Sequence, residues 1–346
     1  MALQFTVLAS GSKGNSALIS IDGRHSLIDV GLSARHLGKR LDQFGLRFSQ
    51  IQEVILTHTH GDHVHGTALE ALAKHGVRFW CHDSHVKALK NKPGFQDMVG
   101  NGLVSHYRCQ PFESLTGLRV APIELQHGPG QTFGFRVNHD LPGKGLSASI
   151  GYLADVGCWN ESHVSHFLNC NLLAIEFNHD VQMTRESGRH PMVIHRNLSD
   201  DGHLSNDQAS ELLQLLIQNS TMVKPSEIVL LHISGDCNTE ELALKSAQKT
   251  VEAVDIGWIP VTAARQDSPL EPMPVSYVKR EGDPENSGLK SLVRNDQRRG
   301  VEPEPHTVKS EHQQTHMTTV SQPVKKVRPP RRWGRDPNQL ELIFPG

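Results

Sequence analysis

The amino-acid sequence predicts a mixed α/β fold in which sheets and helices pack in layers. Short apolar runs with the composition of β-strands recur along the first 264 residues, and segments with helical periodicity lie between them. The order of the elements gives the same indication, since strands come first and then alternate with helices. The expected strands are residues 5–8, 17–19, 26–28, 54–56, 77–80, 150–153, 172–175 and 228–231.

The clearest helical pattern covers residues 206–218, and a second helix is expected at residues 67–75. Ser205 stands directly before the first pattern as a candidate N-cap. The apolar side chains of this pattern share one face of a helix with 3.6 residues per turn. They are Ala209, Leu212, Leu213, Leu216 and Ile217.

Composition limits the class of protein more than its activity. A chain of 346 residues holds one large or two ordinary domains, and its net charge of −2 gives no global signal for nucleic acid or membrane. The five cysteines are odd in number and form no C-x-x-C pair, which favours a reducing cytoplasm over a disulfide framework. We expect no signal peptide and no membrane-spanning segment, because no sufficiently long apolar run is present.

The character of the sequence changes near residue 265. Eleven of the 19 prolines lie at or beyond Pro269, and large aliphatic residues become sparse. We therefore expect a catalytic domain at residues 1–264, a disordered linker at 265–338 and a short apolar docking motif at 339–346. A basic cluster around Trp333 in the linker is either a solvated segment or a salt-sensitive contact with nucleic-acid phosphates. Its members are Lys325, Lys326, Arg328, Arg331, Arg332 and Arg335.

The run of residues 57–63, THTHGDH, predicts a metal site. It follows the apolar residues 54–56 and offers four potential ligands, His58, His60, Asp62 and His63. His58 and His60 alternate, so an extended chain projects both imidazoles from the same side. Gly61 allows the sharp turn that brings the other two ligands close. Imidazole and carboxylate together suit zinc, manganese or iron, whereas solvated histidines would not need this spacing.

Three further residues are of ligand type and stand at the ends of predicted strands. His127 follows a short apolar run, Asp155 closes the strand at 150–153, and His232 closes the strand at 228–231. Each alone is also compatible with an ordinary loop residue. If these strand ends converge on one sheet edge, the three side chains complete a site for two ions.

This set of residues resembles the metallo-β-lactamase fold superfamily, whose pattern is HxHxDH followed by a lone His, a lone Asp and a final His. The resemblance implies an αββα sandwich with the site at the sheet edges and two divalent ions, Zn or Mn. It assigns His58, His60 and His127 to one ion. It assigns Asp62, His63 and His232 to the other, with Asp155 bridging them.

Further segments resemble the WalJ (YycJ-like) subgroup, which is associated with 5′-to-3′ exonuclease action on DNA. These segments are residues 9–16 (ASGSKGNS), 176–180 (EFNHD), 202–206 (GHLSN) and 231–238 (LHISGDCN). They indicate an enzyme of DNA replication or repair. The long C-terminal tail is a departure from the core of that family.

Several residues have expected roles in phosphodiester hydrolysis by two metal ions. Asp62 both binds metal and orients the attacking water, and His203 contacts the scissile phosphate or protonates the leaving oxygen. A purely structural role at a helix start is the alternative for His203. The expected contacts to substrate are Ser10, Ser12, Asn15, Asn178 and His179. The first three are equally compatible with a plain turn, and the last two are suited either to a phosphate or to a position that supports the metal ligands from behind.

The last residues, QLELIFPG, form a short apolar patch after a polar tail. They resemble the hexapeptide by which bacterial DNA polymerases and repair proteins dock on the sliding clamp. The resemblance gives docking roles to Gln339, Leu340, Leu342 and Phe344. The alternative is a tail segment that folds back on the core.

Other functions remain open from the sequence. An RNA-processing nuclease is one, although only 76 residues separate Asp155 from His232, too few for the extra domain of RNase J. A small-ester hydrolase is possible on the ligands alone. A non-catalytic, clamp-associated adaptor is disfavoured because a structural metal does not need an open dinuclear site.

Overall fold

Two mixed β-sheets lie face to face in the computed structural model, which describes residues 3–141 and 143–279. Strands and helices are numbered along the chain. The first sheet has the order β14-β1-β2-β3-β4-β5-β6. Its strands are β1 (Leu3–Ala9), β2 (Ser16–Ile21), β3 (Arg24–Ile28), β4 (Ile51–Ile55), β5 (Arg78–His82), β6 (Val104–Tyr107) and β14 (Met273–Val275).

The second sheet has the order β13-β12-β11-β10-β9-β8-β7, and β15 (Val278–Lys279) pairs with the start of β10. Its strands are β7 (Phe112–Glu113), β8 (Arg119–Leu125), β9 (Thr132–Leu141), β10 (Leu146–Leu153), β11 (Leu172–Glu176), β12 (Glu227–Leu231) and β13 (Val261–Ala263). Both sheets begin as antiparallel meanders and continue as parallel strands.

Helices cover the outer face of each sheet. Those that follow the first sheet's strands are α1 (Ala34–Asp42), α2 (Gly66–Lys74), α3 (Val86–Leu89) and α4 (Phe95–Gly100). The second half of the chain contains α5 (Glu161–Phe167), α6 (Val181–Glu186), α7 (Pro191–Asn197), α8 (Asn206–Asn219) and α9 (Glu240–Ala253). No helix in the described ranges is long and apolar enough to cross a membrane.

Three apolar cores correspond to the three interfaces between these layers. Phe5 and Ile19 of the first sheet meet Phe135 and Ile150 of the second in the central core. Because side chains alternate across a strand, the intervening residues point outward; Leu8, for example, packs with the α1–α2 side. A third core joins the second sheet to α5, α8 and α9. The predicted layered α/β fold is thus confirmed as an αββα sandwich.

A buried carboxylate ties the two sheets together away from the helices. Glu53 on β4 accepts hydrogen bonds from Ser26 Oγ of β3 and Trp80 Nε1 of β5, both at 2.8 Å. It also accepts from the backbone N–H groups of Leu115 (2.8 Å) and Thr116 (3.2 Å) in the turn between β7 and β8. The buried charge is therefore fully hydrogen-bonded, and removing it would leave several donors unpaired.

The expected end of the folded domain at residue 264 is wrong. Strand β14 pairs antiparallel with β1, and β15 pairs with β10, so residues 265–279 belong to the sheets. Gln266 also accepts a hydrogen bond from the backbone N–H of Lys13 (2.8 Å). The remainder of the predicted linker, its basic cluster and the docking motif lie outside the described residues.

The strand directions gather the predicted ligands. Strands β3 to β6 run parallel, as do β10 to β13, so the carboxyl ends within each set lie at one edge of its sheet. At this edge the sheets are joined by a hydrogen bond from the Phe133 N–H to the Thr57 carbonyl (3.1 Å). Four loops, after β4, β8, β10 and β12, meet there.

Candidate metal centre

The structure brings all seven predicted ligands together at the shared edge of the two sheets. Their nitrogen and oxygen atoms form overlapping groups in which every atom lies within 4.8 Å of the others. The groups include His58, His60 and His127; Asp62, His63 and His232; and His58, His63 and Asp155. The convergence expected from the strand ends is therefore present in the fold.

The first group consists of three imidazoles with little access to water. His58 Nε2 lies 2.9 Å from His60 Nδ1, and His127 Nε2 lies 3.3 Å from the same atom. His58 and His127 are buried, and His60 is half-buried. Three ring nitrogens directed at one point form a set suited to zinc.

The second group combines a carboxylate with two imidazoles. Asp62 Oδ2 lies 3.4 Å from His232 Nε2 and 3.7 Å from His63 Nε2. Asp155 stands between the groups: its Oδ2 lies 2.7 Å from His63 Nε2, and its Oδ1 lies 3.7 Å from the Nε2 atoms of both His127 and His232. This is the position that a bridging ligand requires.

Two observations show that these residues fit divalent metal ions. When His63 Nδ1 donates to Asp29, His63 Nε2 carries no proton, so the buried Asp155 Oδ2 that lies 2.7 Å from it has no donor within the described ranges. Most buried carboxylate oxygens in proteins are paired. The ligand atoms named above are separated by 2.7 to 3.7 Å. Tetrahedral zinc with bonds of ~2.0–2.1 Å places its ligands roughly 3.3 Å apart.

The backbone turns sharply where two of the ligands and one supporting residue leave their strands. Asp155 after β10, His232 after β12 and Asp29 after β3 have φ values of 59°, 52° and 61°. This left-handed region is unfavourable for residues other than glycine, and each instance costs about 1–3 kcal/mol. The surrounding hydrogen bonds offset this strain and fix the direction of each side chain.

The outer nitrogen of most ligand imidazoles is held by a neighbouring group. His63 Nδ1 donates to Asp29 Oδ2 (2.7 Å), and Asp29 in turn accepts from the backbone and hydroxyl of Thr57, both at 2.8 Å. His127 Nδ1 donates to the Gly202 carbonyl (2.7 Å). These bonds leave the Nε2 atoms of His63 and His127 directed inward, which fixes the tautomer that binds metal.

Glu176, at the end of β11, is a member of the site to which the sequence analysis gives no role. Its Oε1 accepts from His203 Nδ1 (2.8 Å) and lies 3.2 Å from His232 Nδ1. Its Oε2 accepts from the backbone of Val156 (2.7 Å) and Leu204 (3.3 Å). In the sequence, Glu176 is a polar residue at the end of a predicted strand, and this is the same pattern that indicated Asp155. Glu176 thus connects a metal ligand with His203.

The electrostatic environments of the two groups differ. Burial lowers the pKa values of His58, His60 and His127, and the neighbouring imidazoles lower them further. These rings are therefore neutral at pH 7, the form that binds metal. Burial alone would also lower the pKa of His232, but Asp155, Asp62 and Glu176 raise it to about 10.

The carboxylates are correspondingly ionised. Burial alone would raise the pKa of Asp155, but His232 and His63 hold that pKa well below its usual value. In the second group, a proton and a metal ion would occupy the same imidazole nitrogens of His63 and His232. Metal binding there would therefore release protons.

An open polar pocket of about 380 Å³ leads to the ligands. His203, Ser12 and Asp62 line it. Arg196 and Asn197 at the end of α7 also line it. Neither residue is predicted from the sequence, because neither belongs to a motif with the spacing of metal ligands.

Most of the other expected substrate contacts lie behind the ligands and do not line the pocket. Ser10 is buried, and its Oγ accepts from the backbone N–H of His232 (2.8 Å). Asn15 and Asn178 are buried and hold Asp62 and His232 through hydrogen bonds of 3.3 and 2.7 Å. They are too deeply placed for direct substrate binding. His179 is also buried, and its Nδ1 has no hydrogen-bond partner within the described ranges.

Replacing the residue behind His63 should weaken metal binding without unfolding the protein. In Asp29→Asn the charge that orients His63 is lost, and we expect the affinity for zinc to fall about 10- to 100-fold. Competition with a chromophoric chelator measures this affinity, and circular dichroism verifies the fold. Asp42→Asn, an exposed position at the end of α1, is the matched control. Equal zinc affinities in both variants would contradict the assigned role.

Comparison with known proteins agrees with this geometry. The sequence profile of the β-lactamase superfamily domain matches residues 24–233. The chain is 26% identical over 282 residues to exodeoxyribonuclease YycJ of Bacillus anthracis, covering 80% of this chain and 100% of that protein. It is 27% identical over 263 residues to exodeoxyribonuclease WalJ of Streptococcus pneumoniae, covering 74% of this chain and 91% of that one.

Among solved structures, the metallo-β-lactamase fold protein YhfI from Bacillus subtilis has a TM-score of 0.56 with 16% sequence identity. The match covers 78% of this chain and 100% of YhfI. The fold implies the use of a divalent metal, and the clustered imidazoles and carboxylates supply the ligands. The chain therefore belongs to the β-lactamase superfamily, and it is a hydrolase of the metallo-β-lactamase fold.

Proposed function

We propose that the protein is a metal-dependent exonuclease that digests DNA in the 5′-to-3′ direction during replication or repair. The observation that carries this proposal is the similarity to two exodeoxyribonucleases along nearly their whole length. The site supports it independently, because a centre suited to two metal ions opens into a polar pocket. Two-metal sites are common in enzymes that cleave phosphodiesters.

The ligands divide into two sets, one for each ion. His58, His60 and His127 would hold one zinc or manganese ion; Asp62, His63 and His232 would hold the other, with Asp155 between them. Bound ions of this kind polarise a phosphodiester and lower the pKa of water, so neither Ser nor Cys is needed as nucleophile. All other steps depend on the side chains of the chain itself.

Asp62 orients the attacking water in this proposal. Its carboxylate is partly exposed in the pocket, and Asn15 Nδ2 holds its Oδ2 at 3.3 Å. His63 and His232 lower the pKa of Asp62 even though burial alone would raise it, so the group is an ionised acceptor near neutral pH. An ionised carboxylate fixed in this way can accept a hydrogen bond from water and direct its lone pair.

His203 supplies the proton to the leaving oxygen. Its side chain is 18% exposed and lines the pocket, while its Nδ1 donates to the buried Glu176 at 2.8 Å. The carboxylate fixes the orientation of the ring and occupies its Nδ1. Nε2 is therefore the nitrogen available to donate to a substrate oxygen.

End-labelled substrates test the proposed function. With Mn²⁺ or Zn²⁺ the wild-type protein should shorten single- or double-stranded DNA progressively from the 5′ end. Asp62→Ala should abolish cleavage and stay folded, because it removes a ligand and the group that orients water. The exposed Asp42→Ala is the control and should retain activity.

RNA and a small ester belong in the same assay, since the fold alone does not decide the substrate. Preferential cleavage of RNA would replace the proposal with RNA processing. Hydrolysis of the ester alone would replace it with a small-ester hydrolase. Full DNA cleavage by Asp62→Ala would refute the mechanism, and complete inactivity with bound metal would support an adaptor role.

The role of His203 gives a separate expectation. His203→Gln should reduce kcat on DNA about 100-fold or more, because a general acid typically contributes a factor of ~10²–10⁴. Metal content should stay unchanged, since His203 lies outside the proposed ligand sets. His75→Gln, an exposed position, should leave kcat unaltered. An unchanged kcat in the His203 variant would leave that residue with a purely structural role.

The sequence also bears on where the enzyme acts. All five cysteines are free thiols, which fits a reducing cytoplasm. The C-terminal run that includes Gln339, Leu342 and Phe344 resembles a sliding-clamp docking peptide and lies outside the described residues. Docking by a tethered peptide would raise the local concentration of the enzyme on replicating DNA. We propose the clamp as a partner on this ground.

Deleting residues 339–346 should remove clamp binding without slowing digestion of short oligonucleotides. The metal centre lies within residues 58–232, so the deletion leaves every proposed ligand in place. A pull-down with purified bacterial clamp measures binding, and the oligonucleotide assay measures turnover. Clamp binding that persists in the truncated protein would refute the docking role.

A further inference from the structure

Helix α7 (Pro191–Asn197) is placed to contact whatever enters the pocket. Its last two residues, Arg196 and Asn197, line the pocket together with Asp62 and His203. Its start is fixed by Pro191 in the first turn and by the His190 side chain, which accepts from the Met192 N–H. The helix therefore presents a defined face beside the metal ligands, and that face has so far been given no role.

Arg196 reaches across to the loop that carries His127. A Cβ atom added at Gly128 would lie 2.9 Å from Arg196 Nη2 and 3.8 Å from His60 Cε1. Gly128 also has a φ of 58°, which favours glycine. The absence of a side chain at residue 128 thus leaves space for the guanidinium directly beside the first group of ligands.

The backbone that carries Arg196 is fixed to the same loop. The Arg196 carbonyl accepts from the backbone N–H (3.1 Å) and hydroxyl (2.8 Å) of Ser199. In the turn that follows, the Gly202 carbonyl accepts from His127 Nδ1 at 2.7 Å, and the Asp201 carbonyl accepts from the Gly128 N–H at 3.0 Å. The backbone at Arg196 is therefore fixed relative to the loop that carries a candidate metal ligand.

The charge of Arg196 has no partner in the described part of the chain, where no carboxylate lies within ion-pair distance and no side-chain hydrogen bond forms. Arg189, by contrast, pairs with Asp236 at 2.6 Å, and Arg265 pairs with Glu240 at 2.8 Å. Arg196 is exposed to solvent, so its guanidinium is accessible to an anion that enters the pocket beside the metal ligands. The planar guanidinium matches a phosphate, which it can bind with two hydrogen bonds.

The same helix face exposes apolar surface. Met192 is 75% exposed and Val193 is 44% exposed. Met192 precedes Arg196 by four residues and Val193 precedes it by three, so both lie on the same side of the helix as the guanidinium. A phosphate group alone has no use for such a surface, whereas a nucleotide also carries a sugar and a base with apolar faces.

We propose that the face of α7 formed by Met192, Val193 and Arg196 binds the substrate strand. Arg196 contacts a phosphate of the strand, and Met192 packs against the sugar or base attached to it. This contact rests on the proposed nuclease function and gives the site its preference for an anionic, nucleotide-containing substrate. The α7 face acts in binding, whereas the residues around the metal ions act in cleavage.

Equilibrium binding tests this contact apart from catalysis. The ligand is a fluorescent single-stranded DNA with cleavage-resistant phosphorothioate linkages, titrated with metal-loaded, full-length protein and followed by anisotropy at several salt concentrations. Arg196→Gln should weaken binding about 10- to 100-fold. The slope of log K against log salt should become less negative by ~0.7, the contribution of one phosphate on a single strand. Arg196→Lys should preserve the slope.

Two further variants separate the apolar contact from charge. Met192→Ala should weaken binding about fivefold without changing the salt slope, because it removes apolar contact only. Arg185→Gln changes an exposed arginine on α6 outside the pocket and should behave as wild type. Metal content, measured on every variant, should be equal.

The outcomes distinguish this contact from the proposed function. If the wild-type protein digests DNA and Arg196→Gln binds with the same affinity and slope, the α7 contact is wrong and the nuclease function stands. If the expected affinities and slopes are observed but no nucleic acid is cut, the nuclease function is wrong and the α7 contact stands. Absence of any oligonucleotide binding by the wild-type protein overturns the contact.

Discussion

Asp155 is the carboxylate on which both halves of the metal centre depend. Its two oxygens lie within 3.7 Å of the Nε2 atoms of His63, His127 and His232, which come from three different loops. Buried imidazoles lower one another's pKa, so the cluster needs a negative charge at its middle. An isolated buried charge is costly, and Asp155 is tolerated there because the opposing groups, protons or metal ions, are always adjacent.

The residues behind the ligands fix the orientation of the ligand side chains. Asp29 fixes His63, while Glu176 holds both His232 and His203. One carboxylate therefore contacts both a candidate metal ligand and the proposed proton donor. Glu176 also accepts hydrogen bonds from the backbone N–H groups of Val156 and Leu204, so the backbone itself fixes the position of the carboxylate.

The proposed ligands can be selected from the sequence because each stands at or just after the end of an apolar run. Glu176 also stands at the end of an apolar run, but it belongs to no motif with the spacing of metal ligands. Ser10 could not be placed correctly, because only the tertiary fold brings its hydroxyl behind His232. The boundary at residue 264 failed since β14 is short and contains Pro274, yet a proline is acceptable on a strand at the edge of a sheet. The position of Arg196 in the pocket could not be predicted from the sequence, because only the tertiary fold brings its guanidinium next to Gly128.

The hydrogen bond between Ser10 and the backbone of His232 joins positions 222 residues apart. During synthesis on the ribosome, the histidine-rich loop at residues 57–63 emerges long before Asp155 and His232 exist. The nascent chain at that stage carries the ligand types of residues 57–63 without the central carboxylate of Asp155. A complete centre forms only after β12 joins the second sheet. The complete ligand set is therefore a property of the finished fold, to which both ends of the catalytic domain contribute.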